Sequence, residues 1–467
     1  MWEVMEEVRS KGLLDPTLGK PRKRHPRTAI VNFVGFHVEV VSSLAFHFAK
    51  LRHNVTVFAR EDYGMQGVVW PFHRKNFKRV ESFFRAFHEF DTIVWATFPT
   101  CHLQTYMEIL SFGLPQRHLM VVHNPDYLTD PGVASAIAQG DARLLTIAPH
   151  VGQHALQLLA LQGVHPQHAW IAPMMPVVFP EECSTRDWTW AAPACRRGRV
   201  WQGQEQLPHQ LQQQAQQQHA PQPQRQSICI QGKLDPTRRD YYGIFAAMQA
   251  RAGQLQAANF SLVLVGRGEL SLPGDLVEAG LVRQYTSLPF QVREKIRGRG
   301  YCGLQCCSFK EEGLVRQYTS LPFQEYYEVL HGCSALLPAF NSPAYYLTKG
   351  SSSVGASLIA GTPLVATPQL LGAYSFLDES AVVMVEDGAA DLEAMLHVLQ
   401  QPADRLKAKR LALEALRRDL YDRNFEVLQR LLGTRYLWRQ KFWRPAVTES
   451  YHKSLRVDLG KLDPRSC

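Results

Sequence analysis

The chain has 467 residues, 45 % hydrophobic, 10 % aromatic and 20 % charged, the profile of an ordinary folded chain of two or three domains. No apolar run reaches the roughly 18–20 residues a membrane helix needs, and Met1–Arg27 lacks the apolar core of a secretory signal, so a cytoplasmic location is expected. The formal charge of +9 sits mostly outside the patterned regions: +3 in 183–226, +2 in 292–312 and +3 before Thr28, so nucleic-acid binding, which needs a basic domain face, is not expected.

From Thr28 onward, short β-branched runs alternate with helical patterns, the mark of βα units on a parallel sheet. Strands are predicted at Thr28–Val34, Val55–Ala59, Thr92–Phe98, Leu119–Val122, Leu144–Ala148 and Trp170–Ala172, with a helix over His37–Arg52. A second series follows at Ile228–Gln231, Ser261–Val265, one of two Val-Arg-Gln-Tyr copies, Ala335–Ala339, Leu364–Ala366 and Ala381–Val385. Helices over Tyr242–Ala250 and Glu325–His331 fall between these strands, and a long Leu-rich amphipathic helix covers Asp404–Arg430. The fold class is therefore α/β, with two doubly wound Rossmann-like domains facing across a cleft where a ligand would sit. The domain plan is a basic extension (1–27), a first domain (28–182), a Gln-rich disordered insertion (183–226), a second domain (227–432) and a C-terminal extension (433–467).

Two segments break the pattern. About half of 202–226 is Gln interleaved with Pro, which buries too little apolar surface to fold. Gly280–Gln291 and Gly313–Gln324 both read GLVRQYTSLPFQ. Structural repeats diverge, so an unchanged copy within 280–324 is read as a recent duplication or insertion. Five of the nine cysteines lie in 183–226 and 292–312, and without zinc-ligand spacing free thiols are expected.

Several strand-end motifs carry chemistry. Gly232-Lys233-Leu234-Asp235-Pro236-Thr237-Arg238-Arg239 joins a strand to a helix and gathers cations there; the plainer reading is a solvated charged turn. Val265-Gly266-Arg267-Gly268 ends another strand. Thr348-Lys349-Gly350-Ser351-Ser352-Ser353 opens a helix, where backbone N–H groups, hydroxyls and one Lys suit a phosphate, or the serines simply cap the helix. In the first half, Gly35 ends the first strand and His123 ends the fourth, followed by Asn124-Pro125-Asp126.

In order and interval, these motifs resemble the GT-B glycosyltransferases, specifically the retaining family of sucrose synthases and bacterial mannosyltransferases. The resemblance runs from Thr28 to Leu432, outside the two anomalous segments. It implies transfer of a sugar from a nucleotide-diphosphate donor to an unidentified acceptor, with retention and without a metal or other cofactor. It implies that Lys233 and Arg239 clamp the donor diphosphate and that Gly35 lets the donor approach. His123 would face the acceptor or the transferring sugar, and Asp126 is a weaker candidate beside it. Gly266 would lie in the donor domain, with Leu321, or Leu288 in the other copy, near the nucleobase. The family carries two glutamates five and thirteen residues before the Gly of Gly361-Thr362-Pro363-Leu364-Val365; this chain has Ala356 and Thr348 there. The family's Pro-Asn-Gly is likewise replaced by Pro173-Met174-Met175. These departures leave room for a catalytically silent nucleotide-sugar binder or scaffold, and for a nucleotide-sugar isomerase. The last helix is expected to pack back across the first domain; the aromatic run Tyr436 to Trp443 beyond it also suits a peripheral membrane contact.

Overall fold

The computed structural model describes residues 25–33, 37–60, 76–98, 103–114, 116–174, 226–268, 270–286, 318–319 and 323–433. The Gln-rich tract up to 225, all of the spacer between the repeats and the aromatic run beyond Gly433 lie outside them.

Two seven-stranded sheets organise the described residues, and every strand pair is parallel. The first comprises β1 (Arg27–Asn32), β2 (Asn54–Ala59), β3 (Phe77–Arg79), β4 (Thr92–Phe98), β5 (Arg117–Val122), β6 (Arg143–Thr146) and β7 (His168–Trp170), in the order β3-β2-β1-β4-β5-β6-β7. The second comprises β8 (Gln226–Lys233), β9 (Phe260–Arg267), β10 (Val282–Thr286), β11 (Tyr318–Thr319), β12 (Ala335–Leu336), β13 (Leu364–Ala366) and β14 (Val382–Met384), in the order β11-β10-β9-β8-β12-β13-β14. Strand order reverses between β1 and β4 and again between β8 and β12. Such switch points leave a crevice at the carboxyl ends of the strands.

The strands read as apolar runs because helices cover both faces. In β1, Ala29 and Val31 join one buried cluster while Ile30 joins another. The cluster containing Ile30 also takes in Val40 and Leu44 of α1 (Val38–Lys50), Val151 of α4 (Pro149–Ala160), Leu330 of α6 (Phe323–His331) and Val354 of α7 (Ser352–Ala360). One continuous apolar core therefore joins the two halves. The remaining helices of eight or more residues are α2 (Leu103–Leu110), α3 (Pro131–Gln139), α5 (Tyr241–Ala250), α8 (Asp391–Leu399) and α9 (Ala403–Leu432).

The last helix, α9, returns to the first half, as expected. Its buried Asn424 accepts from the Ala172 N–H (3.0 Å) and donates to the Ala172 carbonyl (2.8 Å). Arg423 lies 3.1 Å above the Trp170 ring centroid and donates to the Trp170 carbonyl at 3.1 Å. This explains why the strand predicted at Trp170–Ala172 ends at Trp170: the Ala172 backbone is bonded to a helix side chain. The strand predicted to reach Ala339 is shorter for a related reason, since Pro338 has no N–H to donate to a ladder.

Both repeat copies enter the sheet. The first forms β10, and the second pairs beside it in identical register, Tyr285 with Tyr318 and Thr286 with Thr319. One strand was expected; a two-residue edge strand is added because an identical sequence offers an identical ladder. One finding corrects the sequence reading outright. Cys229 on β8 and Cys333, in the turn entering β12, form a disulfide with Cα atoms 5.9 Å apart. The sequence separation of 104 hides the adjacency of their strands.

Removing 280–312 lets the second copy take the place of β10. The shortened protein should fold, with its melting midpoint moved by no more than about 4 °C, because loop-closure entropy changes slowly with length. Aggregation of that variant from a soluble parent would refute the insertion reading. Asn424→Ala should cost about 1–3 kcal/mol, the scale of buried backbone groups left unpaired, measured by denaturant unfolding; an unchanged midpoint would show that α9 is not fastened there.

Candidate functional site

The strand-end motifs of the second half gather around the second switch point. Arg239 is buried at 7 % exposure, whereas the Lys233 side chain is 59 % exposed. The Arg239 guanidinium donates to the Gln231 carbonyl (2.7 Å), the Lys233 carbonyl (3.2 Å) and the Pro338 carbonyl (3.0 Å), and to Ser353 Oγ (3.3 Å). It thus ties the end of β8 to the exit from β12 and to the start of α7. Lys233 Nζ instead meets Asp235 Oδ2 at 2.9 Å. Asp235 also accepts from the Thr237 N–H (3.0 Å) and hydroxyl (2.7 Å). The Lys233 hydrogen bond, reinforced by Thr237, holds the Asp235 carboxyl below its usual range.

Glycines at this edge answer a steric need. Gly232 has φ of 122°, and Gly266 pairs with it in register so closely that a Cβ on Gly266 would lie 1.7 Å from the Gly232 carbonyl oxygen. Only glycine fits there. Burial raises the Asp391 carboxyl to about 6, helped by Asp240 and opposed by Arg239.

At the start of α7, Ser351 is the N-cap and its hydroxyl accepts from the Ser353 N–H at 3.1 Å. The Ser351 N–H donates to the Tyr374 hydroxyl at 2.8 Å. Capping therefore occupies part of the expected cradle, while Ser352 remains exposed. Thr348 Oγ1 reaches the Ala344 carbonyl at 3.5 Å, and Ala356 is buried in the shared core. Lys349 Nζ lies 3.5 Å from Asp126 Oδ2, which brings a donor-side candidate against the loop after His123. Gly350 packs on the first half: a Cβ there would lie 2.4 Å from Ile147 Cδ1.

In the first half, His123 follows β5, and its Nε2 donates to the Ala96 carbonyl at 2.8 Å. Its Nδ1 is buried with no hydrogen-bond partner among the described residues. The His37 ring stacks on it with centroids 3.8 Å apart, from a left-handed backbone position (φ 63°) that caps α1. Burial, with His37 adding, pushes the His123 imidazole well below its usual range, against the pull of the Ala96 carbonyl. His123 is therefore neutral near pH 7, with Nδ1 as a bare acceptor. Gly35, Leu288 and Leu321 lie outside the described residues. Among the described residues no group of three His, Cys, Asp or Glu could hold a metal ion, and no helix is long and apolar enough to cross a membrane.

Sequence reasoning missed His37, His150 and Tyr374. His37 and His150 were marked only by their places after strand ends, a signal shared with many solvated loop residues, and Tyr374 only by following the short helix Pro368–Ala373.

No family model matches the chain, and no curated protein matches it. Among solved structures it is similar to sucrose-phosphate synthase from Thermosynechococcus elongatus at 14 % identity and TM-score 0.48, covering 88 % of this chain and 100 % of that one. It is also similar to Anabaena HepE in complex with UDP-glucose, at 12 % identity and TM-score 0.45, covering 88 % and 99 %. A third likeness is to an E. coli trehalose-6-phosphate structure bound with UDP-2-fluoro glucose, at 11 % identity and TM-score 0.47, covering 88 % and 99 %. All three TM-scores lie below 0.5, and the functional reading rests on this chain's own residues.

The ionisable groups set an acid limit on stability. Burial lowers His47, His53, His118 and His168 to about 4, so each takes up a proton on unfolding between about 4 and 6.5. Asp391 and Asp422, raised to about 6 by burial, each release one on unfolding between about 4 and 6. The unfolded chain binds more protons overall, so the melting midpoint should rise with pH from 4 to 6.5 and level off above it. A midpoint flat from pH 4.5 to 6.5 would contradict the buried neutral histidines.

Proposed function

We propose that this protein is a GT-B glycosyltransferase that moves a sugar from a nucleotide-diphosphate donor to an acceptor hydroxyl, with retention and without a bound metal. The observation that carries this reading is the gathering of Lys233, Arg239, Ser353 and the start of α7 at one strand-order reversal, with Lys349 of the same segment against the loop that follows His123. Arg239 supplies fixed positive charge and holds the strand ends. Lys233 and Lys349, each ion-paired to an aspartate, are the cations a diphosphate would draw off. As the bond from the anomeric carbon to the diphosphate oxygen breaks, charge grows on the leaving group and these cations stabilise it. On the other side, the neutral His123 would present its Nδ1, buried in this structure, to a hydroxyl of the sugar or acceptor.

A second reading, a nucleotide-sugar binder without turnover, has its own support: Ala356 is buried in apolar core where the family has a glutamate, and Thr348 carries no charge. Release of sugar from a nucleotide sugar separates the two.

Thermal-shift screening with UDP, GDP, ADP and their sugars should identify a stabilising ligand. Lys233→Ala should then weaken that nucleotide by about 1.5–3 kcal/mol, the range for charge-assisted hydrogen bonds. His123→Ala should leave nucleotide binding unchanged and slow transfer by roughly 100-fold. If both variants match wild type in binding and in sugar release, the site lies elsewhere.

A further inference from the structure

His150 begins α4, just beyond the carboxyl end of β6, and is buried at the boundary between the halves. Its Nδ1 lies 2.9 Å from the Ala373 carbonyl oxygen and its Nε2 lies 3.1 Å from the Lys349 carbonyl oxygen. Both carbonyls belong to the second half. Its ring meets the Tyr374 ring edge-on at 4.7 Å. The Tyr374 hydroxyl accepts from the Ser351 N–H (2.8 Å) and lies 3.2 Å from the Tyr345 carbonyl and 3.5 Å from the Lys349 carbonyl. Two more contacts from the first half fall on the same dipeptide, Ile147 on Gly350 and Asp126 on Lys349.

We infer that His150, through the Lys349 carbonyl and with Tyr374, is a positioning residue that sets the Lys349–Ser353 segment in the conformation that receives the donor nucleotide. The inference rests on the donor reading of that segment and deepens it. Burial, opposed by the two carbonyls, draws the His150 imidazole below its usual range, so the neutral ring has one N–H for two acceptors. When that N–H turns to Ala373, the Tyr374 hydroxyl is the donor left to cover the Lys349 carbonyl. The Lys349 carbonyl thus has two donors within reach from separate elements, each with a second carbonyl competing for its proton, and neither needs to touch the ligand. A group acting this way alters how well the donor is bound and leaves the chemical step alone.

The test compares His150→Phe, which keeps a ring against Tyr374 and removes both ring nitrogens, with His150→Gln, which keeps one donor. Amide hydrogen exchange over 345–353 should be faster in His150→Phe. UDP, or whichever of UDP, GDP and ADP binds wild type, should bind it about fivefold more weakly, the scale of one net hydrogen bond. KM for the sugar donor should rise with kcat unchanged, and His150→Gln should recover most of the loss. Tyr374→Phe supplies the same comparison from the other donor if His150→Phe does not fold. Exchange and nucleotide affinity equal to wild type in the folded variants would overturn the inference, as would a fall in kcat alone. If wild type binds none of the three nucleotides, the donor reading fails, while the exchange comparison still decides whether His150 orders the segment.

Discussion

A guanidinium withdrawn from water must find acceptors for its N–H groups or carry a desolvation cost of several kcal/mol. Arg239 finds them where the second sheet offers carbonyls, at the ends of β8 and β12 that diverge at the switch point. The arrangement constrains its neighbours in turn. A Cβ on Gly232 would lie 3.2 Å from Arg239 Nη2, and a Cβ on Gly266 would strike the Gly232 carbonyl. Ser353 is fixed by its hydroxyl, so the first turn of α7 is set from below by the same guanidinium.

The same turn is set from above by the other half of the molecule. The residues just before α7 lie against Ile147, His150 and Asp126, and Gly355 within α7 lies close to Pro173, where a Cβ would come within 3.2 Å of Cγ. With α9 bonded to the Ala172 backbone and one apolar cluster running through both halves, the two sheets are not separate bodies on a hinge of a few contacts. Motion between them has to disturb α9, the start of α7 with the residues before it, and the Ala373–Tyr374 segment that meets His150.

The strands were legible because parallel sheets covered on both faces demand apolar β-branched runs, and Thr92–Phe98 and Leu364–Ala366 are found at the expected residues. Phe77–Arg79 was not anticipated: three residues at a sheet edge, two of them charged, carry no periodic signal. Local sequence also marked Lys233 and Arg239, at a strand-to-helix turn, and the Ser351 cap, in a run of serines that opens a helix. What sequence could not supply was which groups are already spent. Nothing local says that Arg239 faces inward while Lys233 faces solvent, or that Ser351 bonds Tyr374. Those facts depend on Pro338 and Tyr374, about a hundred residues away from Arg239 and more than twenty from Ser351. The Cys229–Cys333 bond was hidden for the same reason.

Which groups are spent also decides what the site can do. Four of the five Arg239 N–H bonds are engaged by the protein, so its charge reaches a ligand as a field more than as a direct fork. Lys233 and Lys349, the cations that the proposed reading gives to the diphosphate, each face a carboxylate, Asp235 and Asp126. On that reading a diphosphate would compete with those carboxylates, and exposed pairs of this kind hold weakly. The two partners differ, however. Asp235 is fastened by Thr237 within its own turn, so Lys233 can leave it without disturbing the chain. Asp126 lies across the boundary between the halves, with His154 Nε2 3.8 Å from its other oxygen. On the proposed reading, drawing Lys349 away from Asp126 would remove one contact between the second half and the loop that follows His123.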